Sequence, residues 1–154
     1  MKKLGMFVVL CILSVSIMAC GSGAVSQGTP VDISNHESFL LSNGFTFSSS
    51  FTKKCESPCQ AYFNEPYNMR VELYNNGDIT IAFGQIDDSR TEAQGTLMLS
   101  LVEEFFGQSA SSWVIDNFEK SINKEQTTDI NGYRLFMQVA SPQLVFTIIA
   151  TPLD

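Results

Sequence analysis

The feature that most constrains what this chain can fold into is a change of hydrophobic period. Met69, Val71 and Leu73 alternate with Arg70, Glu72 and Tyr74, and the alternation resumes with Ile79, Ile81 and Phe83 against Thr80 and Ala82. Strict alternation marks a strand with one buried face. Between the runs stands Asn75-Asn76-Gly77-Asp78. A two-residue Asn76-Gly77 turn would oppose Leu73 to Thr80 and Glu72 to Ile81, mixing buried with exposed partners. A three-residue loop, Asn75-Asn76-Gly77, instead opposes Leu73 to Ile79, Val71 to Ile81, Met69 to Phe83 and Glu72 to Thr80. That register is predicted, as a type I turn with a G1 bulge in which Gly77 is left-handed.

From about Ser89 the period lengthens to that of a helix. Ser89-Arg90-Thr91-Glu92 reads as a capping box, with Thr91-Glu92-Ala93-Gln94 as an overlapping alternative start. Leu97, Met98, Leu101, Val102, Phe105 and Phe106 form an apolar face, and Gly107 supplies a stop. Ser109 can cap a second helix, in which Ala110, Val114, Phe118 and Ile122 recur every four residues with Trp113 and Ile115 beside them. The spacing predicts helices over 90–106 and 110–122, an antiparallel pair on a short link, packed on one face of a sheet.

Strand patterning then returns. Asp129-Ile130-Asn131-Gly132 is turn-like, 133–140 is extended, Ser141-Pro142-Gln143 turns again, and 144–150 is apolar on both parities. A strand apolar on both faces wants burial on both, which places 144–150 centrally, under the helix pair, with its other face partly covered. A short helix over 36–43, stopped by Asn43-Gly44, leads the domain. The order predicts an α+β fold, an antiparallel β-sheet of about five to seven strands with the helix pair on one face.

The N-terminus carries an address. Lys2 and Lys3 precede an apolar run from Leu4 to Met18, shorter than the roughly 20 residues of a membrane span, and a small residue follows, as in a secretory signal peptide. Ile17-Met18-Ala19-Cys20, followed by Gly21, resembles the lipobox of bacterial lipoproteins. The resemblance covers only this segment. It implies that residues 1–19 are removed, that the Cys20 thiol receives a diacylglycerol, and that the new amino terminus is acylated, giving a stable membrane anchor. Gly21 in place of Asp implies an outer membrane in a two-membrane cell, and otherwise the outer face of the cell membrane. Residues 20–35, small and polar from Gly21 to Pro30, read as a lipidated cysteine and flexible tether. Residues 36–154 then form a single domain of about 120 residues.

Loss of Lys2 and Lys3 with the leader reduces nine basic residues to seven against sixteen acidic, a net charge of −9. Such a surface does not seek nucleic acid, and it is repelled by anionic lipid heads, so the anchor acts as a leash. Asp87-Asp88 and Glu103-Glu104 lack the alternating oxygen spacing of a calcium loop. With Cys11 removed and Cys20 lipidated, as the lipobox resemblance implies, Cys55 and Cys59 remain as a pair in an oxidising compartment, where a disulfide is the natural reading. The three-residue spacer Glu56-Ser57-Pro58 is not the two-residue redox spacing, and two thiols plus one His36 fall short of a structural zinc site. If Cys55 faces Cys59 across a tight turn, the parity of Phe45, Phe47 and Phe51 on one side, and of Ala61 and Phe63 on the other, sets Phe51 opposite Phe63.

Catalytic patterns are weak. The sole histidine, His36, falls where tether meets domain and is read as a surface residue, and no phosphate loop, zinc helix motif or nucleophile elbow is present. No catalytic residue, cofactor or metal site is expected. The expected role is a lipid-anchored, noncatalytic binding or assembly-accessory module for an envelope protein or glycan. A small hydrolase with an unrecognised carboxylate site, or an acidic inhibitor or immunity protein masking a basic toxin, are the alternatives. Tyr62, Tyr67, Tyr74 and Tyr133 are the candidate contact residues, with Tyr62 and Tyr74 on the parity opposite the core.

Overall fold

Seven antiparallel strands make one sheet in a computed structural model that describes residues 33–84, 88–140 and 145–153. In chain order the elements are α1 (Ile33–Ser42), β1 (Thr46–Phe47), a single-turn helix α2 (Ser49–Thr52), β2 (Cys59–Asn64), β3 (Met69–Tyr74) and β4 (Ile79–Phe83). A 3-10 turn (Asp88–Arg90) then leads into α3 (Thr91–Phe106) and α4 (Gln108–Asn117). A second 3-10 turn (Glu119–Ser121) is followed by β5 (Gln126–Ile130), β6 (Tyr133–Ala140) and β7 (Val145–Pro152). The spatial order is β1-β2-β3-β4-β7-β6-β5, so the last strand of the chain lies inside the sheet, between β4 and β6. The fold is α+β with an antiparallel sheet.

The β3–β4 hairpin adopts the three-residue loop. Leu73 opposes Ile79, Val71 opposes Ile81, Met69 opposes Phe83 and Glu72 opposes Thr80. Gly77 has φ +90°, and its N–H reaches Tyr74 O at 2.9 Å, as the bulged turn requires. The other register loses because it would send Ile81 to the face that carries Glu72.

One face of the sheet holds the core. Met69, Val71, Leu73, Ile79, Ile81, Leu135, Met137, Val139, Phe146, Ile148 and Ala150 are buried there against Met98, Leu101, Val102, Phe105 and Phe106 of α3 and Ala110 and Val114 of α4. α1 adds Leu40, and its His36 ring packs edge-on against Phe105 at 4.6 Å with Nδ1 3.6 Å from Glu104 Oε1. His36 is thus not the surface residue expected from its place in the chain; its side chain is only 14% exposed. Gly107 separates α3 from α4 at φ +82°, and a Cβ there would meet the Asn131 amide at 2.7 Å.

Several boundaries differ from those the sequence predicts. α1 ends as expected, with Gly44 at φ +79° after Asn43. α3 has Arg90 rather than Ser89 at its N-cap, and the Arg90 side chain reaches Pro66 O at 2.7 Å. α4 begins at Gln108, with Gly107 and not Ser109 in the cap position, and ends at Asn117 rather than Ile122. Ile122 instead forms a parallel bridge to Val139 and is 45% exposed. Asp129 and Ile130 belong to β5, so the turn before β6 is reduced to Asn131-Gly132, with φ +50° and +82°. α1 begins at Ile33, inside the stretch 20–35 expected to be tether, so residues 33–35 belong to the helix. The turn at Ser141-Pro142-Gln143, residues 20–32 with Cys20, Asp87 and the leader lie outside the described residues.

The first hairpin is corrected most. Phe51 lies in α2, not in a strand, because Ser48 caps a helical turn and the strand before it stops after Phe47. Ser48 N–H bonds Ala61 O at 2.8 Å, and Ala61 N–H bonds Thr52 Oγ1 at 3.1 Å, so α2 docks on β2 by continuing its ladder. Phe51 and Phe63 do meet, with ring centroids 5.3 Å apart, but the helix lays one ring over the other instead of pairing them across two strands.

Candidate functional site

The face opposite the helices is built by the other parity of each strand. One row across it reads Ala61, Glu72, Thr80, Ile149, Phe136 and Thr127; the row beside it reads Phe63, Arg70, Ala82, Thr147 and Gln138. The two halves of this face differ. Over β2 and β3, α2 covers Ala61 and lays Phe51 on Phe63. Over β4, β7 and β6, no described element covers it, and Ile149 is 42% exposed in the middle of the sheet. Partial cover over 144–150 was expected from the sequence. Among the described residues that cover stops at β3.

The boundary between the halves is polar. Arg70 Nε lies 3.1 Å from Glu72 Oε1, and the Tyr74 hydroxyl donates to Glu72 Oε2 at 2.9 Å, so both oxygens of the buried carboxylate are engaged. The Arg70 guanidinium also lies 5.2 Å from the centroid of the Phe51 ring, a cation–π distance. Burial and the Glu72 carboxylate push the Tyr74 phenol up to about 12. At neutral pH it is therefore a fixed hydrogen-bond donor rather than a base or nucleophile. Cys59 opposes Tyr74 across β2 and β3, and Cys55 and Cys59 are at disulfide distance, with Cα atoms 6.2 Å apart. The bridge closes the short Glu56-Ser57-Pro58 loop that leads from α2 into β2, and the exposed Lys53 and Lys54 lie just before it.

The four tyrosines do not converge. Tyr62 pairs with Val71 and is fully buried in the core, not on the opposite parity as the sequence suggested. Both faces of β2 are covered, so apolar Ala61 and Phe63 do not identify its core side. The Tyr62 hydroxyl lies 3.1 Å from Glu37 Oε1 and 3.0 Å from Gln60 Oε1, and burial with the Glu37 carboxylate pushes it up to about 12. Tyr133 is 5% exposed, with its ring 5.2 Å from Phe106. Tyr67 lines a groove of about 560 Å³ on the helix side, with Asn43, Glu92, Thr96 and Ser100. Only Tyr74 belongs to the open face.

Phe136, Ile149, Thr147, Thr80 and Ala82 are the residues of this face that sequence reasoning did not nominate. Of these, only Ile149 carries a sequence signal, the double-parity apolar run of the last strand, which predicts burial on both sides. Among the described residues, no group of three or more His, Cys, Asp or Glu side chains could hold a metal ion, and no helix is long and apolar enough to cross a membrane. Comparison with protein-family models, curated proteins and solved structures finds no match to this chain.

Proposed function

We propose that this protein is a lipid-anchored envelope module that binds a protein partner on the open half of its sheet. The observation that carries the reading is Ile149, 42% exposed on an internal strand between Thr80 and Phe136. Such a residue in mid-sheet gains from being covered, at about 25 cal/mol for each Å² of apolar surface removed from water. The neighbouring Thr80, Ala82 and Thr147 are short, so a partner can approach the sheet closely. The Arg70, Glu72 and Tyr74 row gives the face a fixed polar border, and the α2 loop with Lys53 and Lys54 forms a wall. The Cys20 context supports a lipid anchor on a flexible tether, which would leave the domain free to turn this face to a partner.

A glycan is the second reading, favoured by the groove at Tyr67, where an aromatic ring, an amide, a carboxylate and the three hydroxyl side chains of Ser89, Thr96 and Ser100 line one concavity. Cross-linking in intact cells, followed by affinity capture, separates the two. Ile149→Glu should abolish capture of a protein partner and leave the melting temperature unchanged, whereas Tyr67→Ala should do neither. Retention of the partner by Ile149→Glu would overturn the sheet-face reading. Membrane fractionation tests the anchor separately: a Cys20→Ser chain should leave the membrane fraction, and its persistence there would overturn the lipoprotein reading.

A further inference from the structure

The two ends of the sheet are finished differently. At one end β1 has two residues and gives way at once to α2, which blunts the edge. At the other end β5 offers five residues, Gln126-Thr127-Thr128-Asp129-Ile130, and no described strand pairs with its outer side. It contains no Pro and no Lys, two of the usual protections of an edge strand.

The register identifies which groups point outward. Ile130 and Tyr133 flank the two-residue Asn131-Gly132 turn, whose two positive φ angles make it a type I′ hairpin. The flanking pair of such a hairpin exchanges both backbone hydrogen bonds, and bonded pairs then alternate along the ladder. Ile130, Thr128 and Gln126 therefore bond inward to β6, while Thr127 and Asp129 aim N–H and C=O away from the sheet. Their side chains are exposed on the open face.

We propose that this edge pairs with the same edge of a second copy, antiparallel about a two-fold axis at Thr128. The spacing is self-complementary. Thr127 of one copy opposes Asp129 of the other, and both of these are the outward-bonding residues, so each such pair can exchange two backbone hydrogen bonds. Thr128 faces its own equivalent across the axis, and Gln126 faces Ile130. Like charges do not oppose one another, although the chain carries a net charge of −7. Each Asp129 is already neutralised by a two-point contact with Arg134, at 2.8 and 3.0 Å, and presents its carboxylate beside the other copy's Thr127 hydroxyl. The two sheets become one continuous sheet, and their open faces lie on the same side. The pairing does not depend on the anchor or on the partner proposed above.

The position of the axis supplies the test. A non-hydrogen-bonded antiparallel pair sets its Cα atoms about 4.5 Å apart, within disulfide reach, so Thr128→Cys in the full-length chain should form a covalent dimer under oxidising conditions. Ser100→Cys on the exposed side of α3 should not. Thr127→Pro, added to Thr128→Cys, deletes an outward N–H without touching the β5–β6 ladder and should cause loss of the covalent dimer, while Thr127→Val should retain it. Sedimentation of a chain carrying only Cys20→Ser should show a concentration-dependent shift from monomer to dimer. A chain that stays monomeric at every concentration, or a Thr128→Cys dimer no more abundant than that of Ser100→Cys, would overturn the proposal.

Discussion

The side-chain amide of Gln94, in the first turn of α3, donates to Tyr67 O at 2.6 Å and to Gly84 O at 2.9 Å. One buried residue thus joins the helix to the β2–β3 turn and to the end of β4. The turn is held from below as well, because Asn64 Oδ1 accepts from Tyr67 N–H at 3.2 Å and Asn64 Nδ2 donates to Asn43 O at 3.0 Å. Gln94→Met keeps the volume and removes both donors, leaving two carbonyls without their partner. The expected cost is about 1–3 kcal/mol, measured by urea unfolding. An unchanged midpoint would mean that water replaces the amide without loss.

The β3–β4 turn yields a sharper prediction. Gly77 is at φ +90°, and a Cβ there would meet Pro152 Cγ at 2.9 Å. Gly77→Val adds left-handed backbone strain to that contact and should destabilise the protein by about 1 kcal/mol or more. Pro152→Ala, which empties the space but leaves the backbone angle, should rescue only part of the loss. An unaltered melting temperature for Gly77→Val would contradict the bulged turn.

What could be read from the sequence follows the strength of local signals. The β3–β4 register was legible because alternation and turn chemistry agree, and β6 begins and ends where its pattern does. β5 was not read as a separate strand because Thr127, Thr128 and Asp129 are polar on both parities. The Asn131-Gly132 pair was its one clear hairpin signal. Tyr62 was misplaced because β2 is covered by α2 on one face and by the core on the other, and parity carries no information in a strand buried twice. The open face is a tertiary property of the same kind. Ile149 has the apolar character of a covered residue, and only the position of α2, over β2 and β3, reveals that it is left open.

The cysteine pair should act through α2. Replacing Cys55 and Cys59 together with alanine opens a small loop and should cost roughly 2 kcal/mol, less than the loss of a long-loop bridge. Because Phe51 rests on Phe63 and beneath the Arg70 guanidinium, the loss should also increase hydrogen exchange at Ser48 and Ala61, whose amides hold α2 to β2. Labelling of both thiols in the native, unreduced protein would refute the bridge.

The two shifted phenols predict how stability changes at high pH. Tyr62 and Tyr74 are both raised to about 12 from 10.0, Tyr62 first by burial and then by Glu37, Tyr74 first by burial and then by Glu72. Between these values the unfolded chain has released protons that the folded chain still holds. Their stabilising contribution is therefore complete below about pH 10 and is lost as pH rises towards 12. Glu72→Gln should lower the Tyr74 value only part of the way, because burial, the larger cause, remains. Difference titrations of phenolate absorbance, using Tyr62→Phe and Tyr74→Phe, isolate each group while circular dichroism reports that the chain is still folded. Ionisation of Tyr74 near 10 in the folded protein would mean that the phenol is neither buried nor bonded to Glu72, contrary to the 2.9 Å contact at the border of the open face.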